Sequence, residues 1–264
     1  MSVENRKREF LHLFYIWVVV TIIGILASVY VFPYFMPKPA SYTMHLGILT
    51  MVVFSIAAAP IAAVIYAVVV YALTKWRYRG DGVPPAAEPI RGNSAVQLVW
   101  IVTSSFLTVF LLVWGLALLS VDNSGLPTAN ELTVNVTGQQ WLWSFSYPST
   151  ATSKTIHYSD GTVATNVPVS VQSNVLVLPV NRKIEFNVTS EDVVHGFWIV
   201  QMGIKVNANP GTTTHTEVVA NKTGWYDVRC TEICGLNHAF MVTRVHVISD
   251  ADFTKWLSAR ASKI

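Results

Sequence analysis

The sequence predicts a membrane-anchored chain in which transmembrane α-helices are followed by an all-β domain. Three observations lead to this fold class. The 264 residues are 52% apolar and 12% charged, which is too apolar for a soluble domain of this size. Three long apolar runs lie before residue 120. From Glu131 onwards, apolar residues instead alternate with polar ones, as expected of half-buried strands.

Each apolar run is long enough for one membrane helix. Leu13 to Phe32 is a run of 20 residues, which spans a hydrocarbon core of roughly 30 Å. Residues 46–73 and 96–119 predict a second and a third span. Pro60 in the second span predicts a kink, which a membrane helix tolerates when neighbouring groups bind the freed carbonyl. The membrane anchor is therefore predicted over residues 1–120.

The first run has a second interpretation, because basic residues also precede the apolar core of a secretory signal peptide. The run is longer than the usual signal core of roughly 7–15 residues, and no small-x-small cleavage site closes it. A retained helix is favoured.

Basic residues predict the orientation of the spans. Three precede the first span and four lie between the second and third, whereas the loop after the first span contains only Lys38. The seven are Arg6, Lys7, Arg8, Lys75, Arg77, Arg79 and Arg91. Because positively charged loops stay in the cytoplasm, we expect a multi-pass protein of the cell membrane with a cytoplasmic N-terminus. Everything after Ser120 is expected outside.

The outer domain is predicted over residues 121–248, with about eight short strands. Apolar alternation recurs in several segments separated by glycines, and such a set suits one antiparallel sandwich or small barrel. The segments are 132–136, 141–147, 175–177, 184–188 and 245–247. The Ser/Thr-rich stretch from Pro148 to Ser173 is predicted as loop with one short strand.

Residues 249–264 predict a short terminal helix. The stretch from Ser249 to Asp252 resembles a capping box. Phe253, Trp256 and Leu257 then fall on one helical face.

Metal-binding side chains are concentrated near the end of the β region. Within twelve residues the chain places two thiols, one imidazole and one thioether, from Cys230, Cys234, His238 and Met241. A further histidine, His195, lies 35 residues upstream of Cys230. Soft sulfur donors together with imidazole suit copper better than hard cations. A mononuclear blue-copper site needs one Cys, two His and a weak Met, so this set has one thiol too many.

Two other interpretations of the cysteines remain open at this point. A disulfide between them would close a very short loop and would leave His238 and Met241 unexplained. A zinc site seldom recruits Met. Copper is favoured over both.

The motifs resemble subunit II of the haem-copper oxygen reductases, the cytochrome c oxidase type. The resemblance rests on the run from Thr189 to His195, the run from Gly203 to Gly211, and the Cys-x-Glu-x-Cys-Gly-x-x-His-x-x-Met loop. It covers residues from about 44 to the end. It implies a cupredoxin-like Greek-key β-sandwich or barrel and a dinuclear CuA centre of two copper ions. Two membrane helices are usual for this family, so the first span is a departure.

The resemblance also implies a role for each ligand position. Cys230 and Cys234 would bridge the two coppers, and His195 and His238 would each bind one. The weaker ligands would be Met241 and the backbone carbonyl of Glu232. The Glu232 side chain would reach towards a magnesium ion shared with subunit I.

Gln97 is a departure from the family pattern. The family commonly has an acidic residue three positions before the Trp at the start of this helix, at the mouth of a proton pathway into subunit I. Here Trp100 is preceded at that position by Gln97, which cannot titrate. Either the proton route differs, or another group such as Glu88, which lies outside the residues that the structure describes, replaces the acid, or Gln97 merely caps the helix.

Trp141 opens an aromatic run that ends at Tyr147. Alternating aromatics fill sandwich cores, and period 2 puts Trp141 on the same face as Trp143 and Phe145. The resemblance instead implies that Trp141 lies at the surface above the copper and receives the electrons. Spacing alone does not decide between these positions.

The charge of the outer region bears on the electron donor. Residues 121–264 contain eleven acidic and ten basic residues, so strong steering of a basic partner is not expected. A cytochrome c or a small copper protein is compatible with this balance. The other expected partners are subunit I, further oxidase subunits and the lipid bilayer, and no nucleic-acid partner is expected.

These inferences predict the subunit through which electrons enter a terminal oxidase, with no catalytic residue of its own. It would pass electrons to haem in subunit I, where oxygen is reduced to water. The alternative is the CuA subunit of a related haem-copper enzyme such as a nitric oxide reductase, since the domain does not dictate its partner's chemistry. A metal-free structural subunit is disfavoured by the intact ligand set.

Overall fold

The computed structural model describes residues 3–83, 92–124, 131–148, 153–157, 161–168 and 170–262. These residues form two compact units. The first unit comprises residues 1–36 and 48–120, and the second comprises residues 37–47 and 121–264. The sequence-based division at residues 120 and 248 stays a prediction.

Three helices occupy the N-terminal part, and all three are long and apolar enough to cross a membrane. They are α1 (Val3–Leu26), α2 (Tyr42–Thr74) and α3 (Ser94–Ser124). α1 continues as a π-helical segment, Ala27–Val31, and a 3-10 turn, Phe32–Phe35. Each helix extends beyond its predicted apolar run at one or both ends. Hydropathy locates the apolar centre of a helix, whereas its ends depend on local hydrogen bonds.

Twelve strands are found among the described residues. They are β1 (Leu132–Gln139), β2 (Leu142–Tyr147), β3 (Ser153–His157), β4 (Val163–Pro168), β5 (Val171–Ser173), β6 (Leu176–Pro179), β7 (Lys183–Ser190), β8 (His195–Ile199), β9 (Ile204–Ala208), β10 (Thr214–Val219), β11 (Gly224–Cys230) and β12 (Val242–Ile248). The stretch from Pro148 to Ser173, predicted with one short strand, contains three. In the described part of the chain, β3 and β4 pair only with each other and so need no apolar face. Their sequence is therefore polar, and the alternation that identifies a strand is missing from it.

Two five-stranded sheets form the sandwich, as the sequence predicted. One sheet has the order β10-β7-β1-β2-β5 and the other β6-β12-β11-β8-β9. The β1/β7 and β6/β12 pairs are parallel, and the other pairs in these sheets are antiparallel. Both parallel pairs join strands that are distant in sequence, so the sheets are not simple meanders, and these two pairs depart from the purely antiparallel sandwich that the alternation suggested.

The core lies between the two sheets and follows the alternation of the strands. In β1 the residues at 132, 134 and 136 are buried, and β7 repeats this pattern at 184, 186 and 188. β8 of the other sheet adds Phe197, whose ring packs edge-on against Phe186 at 5.5 Å. Burying these rings and branched side chains is the main stabilisation of the sandwich.

Tyr147 links the two sheets and the terminal helix. Its hydroxyl donates to the Val177 carbonyl at 2.8 Å and accepts from the Val177 N–H at 2.7 Å. Burial raises the pKa of this phenol well above its usual value. α4 (Asp250–Ala261) packs Trp256 against the Tyr147 ring at 5.1 Å, so the C-terminal helix closes one edge of the sandwich.

The segment that belongs to the second unit, residues 37–47, consists of the end of the α1–α2 connection and the first six residues of α2. Ala40 and Ser41 are buried. The Ala40 N–H donates to Gln201 O at 2.8 Å, and the Asn221 N–H donates to Ala40 O at 2.9 Å. Ser41 Oγ donates to the Met202 carbonyl at 2.7 Å. Residues 37–47 therefore contribute to the β unit although they precede it by some eighty residues in sequence.

Candidate metal centre

Strand pairing brings the distant histidine to the cysteine loop. His195 is the first residue of β8, and Cys230 is the last residue of β11. These strands are antiparallel neighbours, with Cys230 opposite Phe197. The loop that carries Cys234, His238 and Met241 then connects β11 to β12 at the same end of the sheet. The pairing of β8 with β11 therefore brings together two residues, His195 and Cys230, that lie 35 positions apart in the sequence.

The donor atoms form one continuous cluster. The two thiol sulfurs lie 3.7 Å apart, and Cys230 Sγ lies 3.9 Å from His195 Nδ1. Cys234 Sγ lies 3.6 Å from His238 Nδ1 and 3.8 Å from Met241 Sδ. His195 and Met241 are fully buried, and both cysteines are nearly so.

The cysteines do not form a disulfide in this structure. Both are free, and 3.7 Å between sulfurs is far longer than an S–S bond of roughly 2.05 Å. Burial and the neighbouring Cys230 thiol raise the pKa of the Cys234 thiol to about 11. Metal binding must therefore displace the proton of the Cys234 thiol.

The donor set fits copper. It offers two thiols, two imidazole nitrogens and a thioether, and the backbone carbonyl of Glu232 lies 3.3 Å from Cys230 Sγ. Soft sulfur with imidazole favours copper, and a buried thioether is foreign to most zinc sites. Among the described residues, the one cluster of three or more His, Cys, Asp or Glu ligand atoms is that of His195, Cys230 and Cys234, all within 4.8 Å of one another.

Asp192 orients His195. Its Oδ1 lies 2.8 Å from His195 Nε2, so the proton of the neutral ring belongs on Nε2 and Nδ1 is left free to face the Cys230 sulfur. Removal from water raises the pKa of Asp192, but hydrogen bonds from His195 and from the N–H groups of Gln140 and Val193 lower it to about 2. A carboxylate behind a metal-binding imidazole fixes the ring and increases its basicity.

Gln140 ties the aromatic strand to the cysteine loop. Its backbone N–H donates to Asp192 Oδ2 at 2.7 Å, and its side-chain amide donates to the Cys234 carbonyl at 2.7 Å. The next residue, Trp141, is half-buried against the outer domain core. It precedes β2 and is therefore not in the buried row of Trp143 and Phe145 that period 2 suggested.

Two glycines permit the close approach of these segments. Gly235 has φ +120°, and a Cβ there would lie 2.9 Å from Gln140 Nε2 and 3.3 Å from a ring carbon of Trp141. A Cβ on Gly196 would overlap the Thr231 hydroxyl and lie 3.0 Å from the Glu232 nitrogen. Side chains larger than hydrogen would therefore push the cysteine loop away from β8 and from Trp141.

Two residues singled out from the sequence lie outside the cluster. The Glu232 carboxylate is 3.8 Å from Lys205 Nζ and belongs to no cluster of His, Cys, Asp or Glu ligands among the described residues. Gln97 is exposed in the first turn of α3. That helix is capped by Asn93, whose Oδ1 accepts from the Ala95 and Val96 N–H groups at 3.0 and 3.2 Å, so Gln97 is not its cap.

Sequence reasoning did not assign roles to Asp192, Gln140, Gly196 and Gly235. Asp192 carried a signal, because it lies three residues before a histidine in a motif-bearing run. The other three act through contacts with segments far away in sequence, which no local pattern reveals.

Comparisons with known proteins identify the family of this chain. Residues 132–248 match the family described as cytochrome C oxidase subunit II, periplasmic domain. The chain is 30% identical over 174 residues to cytochrome c oxidase subunit 2 of Ctenocephalides felis, covering 63% of this chain and 74% of the relative. It is 31% identical over 170 residues to the corresponding protein of Choristoneura rosaceana, covering 62% and 72%. A crystal structure of the periplasmic domain of subunit II of cytochrome oxidase from Bradyrhizobium japonicum is 34% identical, covers 53% of this chain and 99% of that chain, and gives a TM-score of 0.42.

Proposed function

The chain belongs to the cytochrome c oxidase subunit II family, and from that premise we propose that it receives electrons from an external donor and delivers them to haem in subunit I. As a family member it is a subunit of a cytochrome c oxidase-type oxidoreductase, of the CuA type through which electrons enter. The observation that carries the proposal is the cluster of two thiols, two imidazoles and a thioether, in which His238 is half-buried and the other four side chains are buried.

The proposed metal centre contains two copper ions. Cys230 and Cys234 would bridge them, and His195 and His238 would each bind one. Met241 and the Glu232 carbonyl would be the weaker ligands. Such a centre would take up one electron from the donor and release it to the next carrier, with no covalent bond formed or broken.

The rest of the chain holds these ligands in place and keeps water away from them. Asp192 fixes the ring of His195, and Gln140 fixes the loop at the Cys234 carbonyl. Trp143 packs edge-on against the His195 ring at 5.9 Å. Ligands fixed in advance need no rearrangement during electron transfer, and packing against them tunes the redox potential.

Trp141 is proposed as the residue where electrons enter. The Trp141 ring lies next to Gly235, and the preceding residue, Gln140, donates a hydrogen bond to the Cys234 carbonyl. Trp141 therefore lies against the loop that carries Cys234. Leu142, next to Trp141, and Leu236, next to Gly235, are both exposed, Leu236 by 91%. With eleven acidic and ten basic residues in 121–264, apolar contact rather than long-range charge would hold the donor, which we propose to be a cytochrome c or a small copper protein.

The magnesium site rests on Glu232 alone in this chain. The neighbouring ammonium of Lys205, at 3.8 Å, already pairs with the carboxylate, and Mg²⁺ requires near-octahedral oxygen coordination. These residues do not by themselves fit the ion, so subunit I would have to supply most of its ligands. For proton uptake, Gln97 offers no titratable group.

We further propose a multi-pass arrangement in the cell membrane with the N-terminus in the cytoplasm and the β unit outside. The placement of residues 37–47 within the β unit supports this orientation. If α1 crosses the membrane once, the segment after it and the β unit share one side and the N-terminus lies on the other. The excess of basic residues at the N-terminus and between α2 and α3 agrees with that assignment.

Replacement of Trp141 tests where electrons enter. In the assembled oxidase, Trp141→Ala should slow donor oxidation by at least tenfold while the copper content stays unchanged. The matched control is Trp225→Ala, which removes an exposed indole stacked on His246 at 4.0 Å and should leave the rate unchanged. Loss of copper in Trp141→Ala would instead make the indole a structural support of the site.

Consumption of oxygen or of nitric oxide by the same purified complex separates the proposal from its alternative. We expect oxygen to be the acceptor. Turnover with nitric oxide alone would identify the chain as the CuA subunit of a nitric oxide reductase.

A further inference from the structure

A cavity of about 390 Å³ lies between α1 and α2 at their basic ends. His12, Tyr15 and Ile16 line it from α1, Val70 and Tyr71 from α2, and Lys75 from just beyond α2. This volume lies within the range of roughly 300–1,000 Å³ typical of small-molecule sites. The cavity is separate from the cysteine cluster, because all its lining residues belong to the first compact unit.

The two helices are held together further along their length by small residues and one hydrogen bond. Trp17 Nε1 donates to the Pro60 carbonyl at 2.9 Å. A Cβ on Gly24 would lie 3.0 Å from the Ala59 Cβ, so the backbones approach closely there, as in small-residue packing of membrane helices. At the basic ends the facing residues are larger, and a cavity separates the helices.

The polar groups at the cavity are cationic or neutral. Lys75 and His12 have no carboxylate partner among the described residues. Arg8 lies one helical turn before His12. One carboxylate, that of Glu9, follows Arg8 directly in the sequence. Thr74 is already satisfied, because its hydroxyl donates to the Val70 carbonyl at 2.6 Å. The cavity thus combines apolar walls with a mouth that carries one ammonium group, that of Lys75.

Aromatic residues place this mouth at the level of lipid headgroups. Tyr15 and Tyr71 line the cavity, and the Trp76 ring packs edge-on against Tyr71 at 5.4 Å. Tyr and Trp concentrate at the membrane–water interface, where the ring is buried and its polar atom stays hydrated. Basic pockets between membrane helices at the cytoplasmic side are suited to anionic headgroups.

We propose that the α1–α2 cavity binds an anionic glycerophospholipid. The Lys75 ammonium and the His12 imidazole would contact the phosphate, and the walls formed by Ile16 and Val70 would cover an acyl chain. Two membrane helices are usual for the family, and lipid binding gives the additional helix, α1, a role. The inference rests on the proposed membrane embedding of α1 and α2 and is independent of the copper site.

Native mass spectrometry of the full chain, released from membranes in detergent and titrated with phosphatidylglycerol or phosphatidylcholine, tests this site. One phosphatidylglycerol should bind at least fivefold more tightly than phosphatidylcholine. Because one basic residue near an anionic headgroup contributes about 1 kcal/mol, Lys75→Gln should weaken phosphatidylglycerol binding about fivefold. Ile16→Trp, which fills the cavity, should abolish it. Lys38→Gln removes a charge from the loop after α1 and should change nothing.

Several outcomes would overturn the lipid site. Equal binding of the two lipids, or unchanged binding in both Lys75→Gln and Ile16→Trp, would remove the role of the cavity. Competition by inorganic phosphate would show that the α1–α2 cavity binds simple anions and not a lipid. Displacement of the lipid by a short-chain quinone would show that the ligand of the cavity is a quinone. Wild-type chain recovered outside the membrane fraction would instead overturn the membrane embedding on which the inference rests.

Discussion

Asp192 is the residue on which the orientation of His195 depends. Its carboxylate accepts the Nε2–H of the imidazole at 2.8 Å and thereby presents Nδ1 to the sulfur cluster. Replacing such a partner commonly lowers metal affinity roughly 10- to 100-fold. Asp192→Asn should therefore fold normally, bind copper more weakly by that factor and show an altered copper hyperfine pattern.

Copper titration followed by electron paramagnetic resonance would check this prediction. Asp250→Asn is the control, because Asp250 pairs with Arg182 at 3.5 Å and contacts none of the proposed ligands. Equal copper affinities in the two variants would mean that Asp192 does not support the site.

Among single residues, the side chains of the donor cluster were predictable from the sequence, whereas the residues that support the cluster were not. Spacing and donor chemistry singled out Cys230, Cys234, His238 and Met241 together with the upstream His195, and the family resemblance implied a role for each of them. The positions of Gln140 and Gly196 around the loop depend on which strands pair. No local pattern contains that information, so their roles appear only in the folded chain.

Among the elements, β2 and β6 are joined by the Tyr147 hydroxyl. It pairs with both the N–H and the carbonyl of Val177 in a site closed to water. Leaving a buried backbone group unpaired costs about 1–3 kcal/mol, so Tyr147→Phe should lower the unfolding free energy of the β unit by that amount. Tyr226→Phe, whose hydroxyl donates to the exposed Lys222 carbonyl at 3.0 Å, should have a smaller effect in chemical denaturation. Equal losses would contradict a special role for Tyr147.

The start of α4 predicts a dependence of stability on acid pH. The Ser249 hydroxyl donates to the Asp252 carboxylate at 2.7 Å and accepts from the Asp252 N–H at 3.1 Å. The hydrogen bond from Ser249 lowers the pKa of Asp252 below its usual 3.8, and Lys255 adds to this against a small opposing effect of desolvation. Because the folded pKa is the lower one, this stabilisation is complete above 3.8 and disappears as the pH falls through the folded value.

Asp252→Asn should therefore reduce stability at neutral pH and flatten its decline in acid. Denaturant midpoints at pH 7 and at pH 3 would measure both effects. The same decline in wild type and variant would show that other carboxylates cause it.

The elements themselves were predictable where the alternation was strong and not where it was weak. β1 and β7 bury every second residue, so period 2 located them directly. β3 and β4 lie outside the two main sheets, and their polar sequence resembled a loop. The capping box before α4 was visible because Ser249 and Asp252 satisfy each other locally.

For the whole molecule, the β unit extends beyond the contiguous outer region. Residues 37–47 supply buried Ala40 and Ser41, which bond to Gln201, Asn221 and Met202. Linear inspection assigned this stretch to a loop of the anchor, since nothing in its short sequence signals a partner 160 residues away. Experiments on the copper site therefore require the full chain.

The central claim is that this chain holds a dinuclear copper centre, and electron paramagnetic resonance of the full chain loaded with copper, combined with a copper count, tests it most directly. Two thiolates and two imidazoles should give a multi-line mixed-valence signal with about two coppers per chain. Cys230→Ser, which removes one of the two thiols proposed to bridge the coppers, should abolish that signal while the chain stays in the membrane. A wild-type signal from a single copper, or an unchanged signal in Cys230→Ser, would contradict the account.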